Sequence, residues 1–283
     1  MSLESRIFLT RRKDYTREDP MKHYALDIET RPTTAHIEAC QLELLNAVEQ
    51  SYRDLAAGVY SMPSDAKKSA ADKAEARRVK ALQKTQAAIT KRLYGGATSP
   101  LTGYVVGWCL RDLNSYKLGV KPPVRTVFGL EDDEAGIVSE LDTLLRIYGE
   151  NGSITVWTWN GQAFDVPFLR WRMALHGVRY GDWLDPMAKP WEAVTRDALR
   201  VMQGNRMTGY SLDAVARFFG IADRPDEGED YWRRIFDSDP EEVLDEVQSK
   251  CIEDTRILGC ILDRVGLIPH RSPTSSASNR EAE

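Results

Sequence analysis

The chain has 283 residues, 42% of them hydrophobic and 29% charged, and a net charge of −5. That is an ordinary globular balance, enough to bury a full core in one large α/β domain or one domain carrying an insertion. It excludes a strongly basic nucleic-acid binder as a whole-chain property. No apolar run reaches the ~18 residues of a membrane span, and Cys40, Cys109, Cys251 and Cys260 form no CxxC pair of the kind that holds structural zinc.

In chain order, residues 1–22 read as a polar leader. Arg6, Arg11, Arg12 and Lys13 are not followed by an apolar run, so no signal peptide is expected. Together with cysteines expected to be reduced, this suggests a cytoplasmic setting. Residues 23–29 alternate and predict a strand ending in acidic groups. Residues 35–95 are rich in Ala, Glu, Lys, Gln and Leu and predict a helical insertion of two helices. The break falls at Met62-Pro63-Ser64-Asp65, with Ser64 as a candidate N-cap, and Gly95-Gly96 ends the second helix.

Strands follow at 101–110 and 124–128, the second after the turn signal Pro122-Pro123. A helix over 132–148 carries Ile137, Leu141, Leu144 and Leu145 at helical spacing. A strand at 153–159 and a helix at 163–176 come next. Residues 180–230 read as mostly helical and looped, with Tyr210-Ser211-Leu212-Asp213 opening a short helix that ends at Gly220. A long helix covers 240–265, and the Ser-rich residues 269–283 predict a disordered tail.

Three segments carry chemistry. In Leu26-Asp27-Ile28-Glu29-Thr30 two carboxylates sit two apart on a strand and share a face. Their mutual repulsion calls for a cation, although Asp-x-Glu also occurs in solvated turns. Asp165 opens the helix after Trp159-Asn160-Gly161, where the helix dipole favours an acid for structural reasons alone; Asn160 can equally be a turn residue. Asp254 lies on the apolar stripe marked by Val247, Cys251 and Leu258, where an unpaired carboxylate is costly. Glu253 is rotated toward solvent.

These segments, with their order and spacing, resemble the motifs of the DEDD 3′–5′ exonucleases. The resemblance covers residues 23–265. It is carried by "LDIET" at 26–30, "WNGQAFDVPFLRWRMALHG" at 159–177 and Asp254, with "SPLTGYVVGWCL" and "YSLDAVARFFGI" between them. Within that family it looks most like the exonucleases related to the proofreading domain of family B DNA polymerases. The likeness implies a ribonuclease H-like fold: a mixed five-stranded sheet flanked by helices, with the insertion after the first strand. Residues 23–268 are then the exonuclease domain.

It also implies two ions of Mg²⁺ or Mn²⁺ on the hard carboxylate ligands. Asp27 would bridge both ions. Glu29 and Asp254 would hold the one that activates water, and Asp165 the one near the leaving oxygen. Asn160, Phe164 and Thr30 would position the terminal nucleotides, although Phe164 reads equally well as a core aromatic. The implied substrate is the 3′ end of single-stranded DNA or RNA. Where the family carries Tyr four residues before the last Asp, or His five before it, this chain has Lys250 and Ser249. Lys250 therefore reads either as an assisting group whose pKa falls near metal ions or as a surface lysine. That departure keeps a catalytically silent binding module as an alternative to an RNA- or DNA-directed nuclease. Residues 67–92 carry a surplus of about seven positive charges: a solvated helix face, a phosphate-tracking arm or a site for a protein partner.

Overall fold

The computed structural model describes residues 21–60, 67–114, 122–150, 153–185, 187–188, 193–203, 209–223 and 229–268. The break expected at 62–65 with its Ser64 cap, nearly all of the leader, and the tail at 269–283 lie outside the described residues. The elements are β1 (Lys22–Pro32), α1 (Thr34–Tyr60), α2 (Lys67–Gly95), β2 (Gly103–Asp112), β3 (Val124–Phe128), α3 (Glu134–Glu150), β4 (Ile154–Thr158), α4 (Asp165–Leu175), β5 (Thr195–Asp197), α5 (Ala198–Gln203), α6 (Leu212–Phe218), α7 (Glu229–Asp237) and α8 (Pro240–Arg264).

The strands form one five-stranded sheet in the order β3-β2-β1-β4-β5. β2 pairs antiparallel with β1 and β3, whereas β4 runs parallel to β1 and β5. The expected mixed sheet flanked by helices is therefore present. The short strand β5 falls inside the stretch read from sequence as helical and looped. Its three residues are too few to show a period, and β4 supplies the pairing that makes it a strand.

Strand alternation divides the core between the two faces of the sheet. On one face Tyr24, Leu26 and Ile28 of β1 meet Ile137, Leu141 and Leu145 of α3 and Phe168, Leu169 and Met173 of α4. On the other face Ala25 packs with Leu258 and Leu262 of α8, and Tyr104 and Val106 of β2 pack with Ile235 of α7 and Val243 and Val247 of α8. Asp239 caps α8, accepting from the Glu241 N–H at 2.9 Å, with Pro240 in the first turn. Ser211 caps α6 through the Ala214 N–H, and Gly220 ends it in the left-handed region, both as the sequence predicts.

The insertion is a helical hairpin, with α1 and α2 packed on each other. It leaves the sheet after β1 and returns through a 3-10 turn (Gly96–Thr98) to β2, the antiparallel neighbour of β1. Its base therefore stands at the end of β1 that carries Asp27, Glu29 and Thr30.

A carboxylate cluster at the end of β1

Two irregularities of the sheet open the site. β1 pairs with β4 over Lys22–Ala25, so among the described residues the stretch from Leu26 onward has no paired strand on that side. The crevice beyond the carboxyl end of parallel strands is the usual place for a ligand in α/β sheets. On the other side the register slips between Glu29 and Thr30: Glu29 faces Gly107 and Thr30 faces Val105, leaving Val106 as an extra residue of β2. Bulges of this kind bend a strand and re-aim its side chains.

Asp27 and Glu29 share the sheet face covered by α8. Their ligand atoms and the Cys251 thiol all lie within 4.8 Å of one another, a group able to hold a metal ion. That group closes on Cys251 rather than on Asp165 or Asp254. Cys251 is wholly buried, and its Sγ donates to the Asp27 carbonyl at 3.5 Å. The Oδ2 of Asp27 is enclosed and, among the described residues, has no hydrogen-bond partner. Burial, reinforced by Glu29, Asp254 and Asp165, pushes the Asp27 carboxyl well above the ordinary carboxylate range, with Lys250 opposing.

Asp165 is buried at the first position of α4, and burial, with Glu29 and Asp197, pushes its pKa up to about 8. The turn that delivers it is tight. Asn160 takes a positive φ of 59°, and a Cβ on Gly161 would lie 2.6 Å from Asp165 Oδ2, so glycine is required there. Asp197, at the end of β5, accepts from the Asn160 and Gln162 N–H groups, both at 3.1 Å. Sequence reasoning missed this residue because a lone Asp closing a strand of three carries no motif.

Asp254 is buried on α8, while Glu253 is half-exposed and pairs with Arg256 at 2.6 Å, as the helical stripe predicts. Lys250 is not a surface lysine. Its ammonium donates to Glu29 Oε1 at 3.0 Å and to Asp254 Oδ2 at 2.6 Å, and it lies 5.0 Å from the centre of the Trp232 ring. Without a metal ion, burial lowers its pKa, but Glu29, Asp254 and Asp27 outweigh it and hold the group well above the usual lysine range.

A cavity of about 360 Å³ adjoins Glu29. Thr30, Ala97 and Phe164 line it, with Trp232 and Phe236 of α7 as an aromatic wall. Phe164 is half-buried; it faces this cavity and also packs on the core residue Phe168, at 5.5 Å between ring centres. The Thr30 hydroxyl is already committed, donating to the Ala97 carbonyl at 2.7 Å. Asn160 is exposed on its turn and does not line the cavity. Trp232 and Phe236 were not singled out from sequence, although their spacing of four puts both on one helical face.

Among the described residues, no helix is long and apolar enough to cross a membrane. No curated protein matches the chain. Among solved structures it is similar to the family B DNA polymerase from the hyperthermophilic archaeon Pyrobaculum calidifontis, with 13% identity and a TM-score of 0.47 over 86% of this chain. The match spans 25% of that polymerase. Residues 122–265, just over half of the chain, match the family model of the RNase_H superfamily; the chain belongs to that superfamily, in keeping with the ribonuclease H-like fold expected from its sequence.

Proposed function

We propose that the chain is a metal-dependent 3′–5′ exonuclease of the DEDD kind. Its domain is residues 23–268, with 35–95 as a helical insertion, 1–22 as a leader and 269–283 as a tail. The observation that carries this reading is the enclosed, unpartnered Oδ2 of Asp27 inside a cluster of acids. An orphaned buried oxygen among like charges is costly in a folded protein, and a divalent cation relieves both costs at once. The donor set fits: Asp27, Glu29, Asp165 and Asp254 offer hard oxygens suited to Mg²⁺ or Mn²⁺. When bound, two such ions supply an activated water and relief of charge on a phosphodiester.

The chain's own groups do the rest. Asp27 and Glu29 are held on β1, opposite the bulge of β2, and Asp254 by the stripe of α8. Asp165 is fixed by the turn that Asp197 braces. A cavity of about 360 Å³ is at the small end of ligand sites and suits one terminal nucleotide better than a strand passing through. Phe164, Trp232 and Phe236 give its base a stacking surface. The 3′–5′ direction, and single-stranded DNA ahead of RNA as substrate, rest on the resemblance of the motifs.

One observation favours a second reading, a binding module without catalysis. Lys250 fills the space between Glu29 and Asp254 with a positive charge, which does part of a cation's work. The test is digestion of 3′- and 5′-labelled single-stranded DNA and RNA with Mg²⁺, Mn²⁺ or EDTA. Mononucleotides released from the 3′ end, only with metal, are expected. Internal cleavage, or no cleavage with either metal, would sink the exonuclease reading.

A further inference from the structure

The basic surplus of the insertion is arranged on one face. At about 100° per residue, Lys73, Arg77, Lys80, Lys84 and Lys91 of α2 fall within an arc of about 60°. All five are exposed, and among the described residues none is ion-paired. Between them on that face stand Ala76, Ala87 and Ala88, so no acid and no bulky side chain interrupts the row. The opposite face holds the helix to α1: Ile89 is buried, Leu82 and Leu93 are half-buried, Arg78 pairs with Glu75 and lies 4.1 Å over the Tyr52 ring, and Arg92 pairs with Glu43.

The row also leads somewhere. A hollow of about 580 Å³ runs beside Lys84, Ala88 and Arg92. A second, of about 460 Å³, lies beside Lys91, Gly95 and Gly96. The next two residues, Ala97 and Thr98, line the cavity that holds Glu29. The hollows thus follow α2 and its closing turn, residue by residue, down to the acid cluster.

We infer that this face of α2 is a rail for the sugar–phosphate backbone of a single-stranded polynucleotide whose end lies in the cavity beside Glu29. One row of cations matches one row of phosphates, whereas a duplex presents two. From Lys73 to Lys91 the row is about 27 Å long at 1.5 Å per residue, the length of about eight nucleotides at a stacked spacing of ~3.4 Å. In a chain whose net charge is −5, this row gives a polyanion a local landing place that the whole-chain charge does not. The inference rests on the nuclease reading for what happens at the end of the rail, not for the rail itself.

The test is equilibrium binding, in EDTA, of fluorescent single strands of about 4 and about 16 nucleotides, as DNA and as RNA, between 50 and 200 mM salt. The full chain is compared with the variant Arg77→Gln/Lys80→Gln/Lys84→Gln/Lys91→Gln. Glutamine keeps helix propensity, and circular dichroism checks that the hairpin persists. The pair Lys84→Glu/Lys91→Glu supplies a second variant should the first fail to fold. At about 0.7 of salt slope per phosphate contact, the quadruple variant should lose a slope of about 3 on the long strand and bind it at least tenfold more weakly. The short strand should change far less, and DNA and RNA should respond alike. Equal affinity and slope for the long strand in protein and variant would overturn the rail, as would equal losses on both lengths. So would no binding of either strand by the unaltered protein, the result expected if the row served an acidic protein surface. A protein that binds through the row but releases no nucleotide would overturn the nuclease reading alone.

Discussion

The Lys250 ammonium lies 3.0 Å from Oε1 of Glu29, a residue 221 positions earlier in the chain. It sits between Glu29 and Asp254, so it offsets part of the cluster's charge and would compete with an ion there. Lys250→Met keeps the side chain's length and removes the charge. Without metal the variant should be less stable by on the order of 3 kcal/mol, the scale for stranding one partner of a buried pair. Its melting temperature should gain more from Mn²⁺ than that of the parent protein. Turnover at saturating Mn²⁺ should fall by about 10- to 100-fold if the ammonium also meets the substrate. An unaltered metal-free melting temperature and Mn²⁺ response would remove Lys250 from the site.

Asp27→Asn and Asp165→Asn should each abolish hydrolysis. Both carboxyls are pushed upward by burial and by neighbouring acids, so the amides should raise the metal-free melting temperature by removing repulsion. The metal-induced stabilisation of the parent protein, about 2.7 kcal/mol at a hundredfold excess over Kd for one site, should shrink in both. Thermal melts with and without Mn²⁺ measure this, and near-parental activity in either variant would show that the acids are wrongly assigned.

The aromatic wall makes a separable prediction. Trp232→Ala and Phe236→Ala remove stacking surface from the cavity without touching an acid. Base stacking contributes about 1–3 kcal/mol, so the KM for a short substrate should rise by roughly 5- to 150-fold while kcat changes little. A fall in kcat at constant KM would mean that α7 acts by placing Lys250 through the Trp232 ring.

Glu134 is buried away from the site. It accepts from the Val105 N–H at 2.7 Å and pairs with Arg172 and, at 2.7 Å, with His176. Its burial alone would raise the carboxyl, but Arg172, His176 and the Val105 N–H more than offset that and hold it below its ordinary value of 4.5. The unfolded chain therefore takes up a proton first as pH falls. The stability this group contributes is present above about pH 4.5 and is lost as pH drops through its lower folded value. Acid unfolding of Glu134→Gln should start from a lower stability and fall less steeply below pH 4.5; parallel curves would reject the assignment.

The longer helices and four strands were readable from their period, whereas α5, six residues long, and α7 were not delimited; Asp254 was readable because a carboxylate on an apolar stripe of α8 stands out. Lys250 was legible as a departure from motif, yet its partners were not, since Glu29 and Asp254 meet it only after β1 and α8 pack. The same limit hid Asp197, Cys251 and the wall of Trp232 and Phe236, none of which belongs to a local pattern. The partner of the Thr30 hydroxyl was equally hidden, since the carbonyl that accepts from it, that of Ala97, lies 67 positions away.

Because β1 and α8 lie at opposite ends of the domain's sequence, Asp27 and Asp254 become neighbours only when nearly the whole domain has folded. A chain emerging from the ribosome carries the first pair of acids early and the last one only when α8 is released. On the proposed function the cation site is complete only then, so the chain under synthesis would not attack the nucleic acid around it. Contacts so far apart in sequence also slow folding, so the site should be the last feature to appear on refolding. Recovery of Mn²⁺ binding should trail recovery of helical signal in a stopped-flow trace.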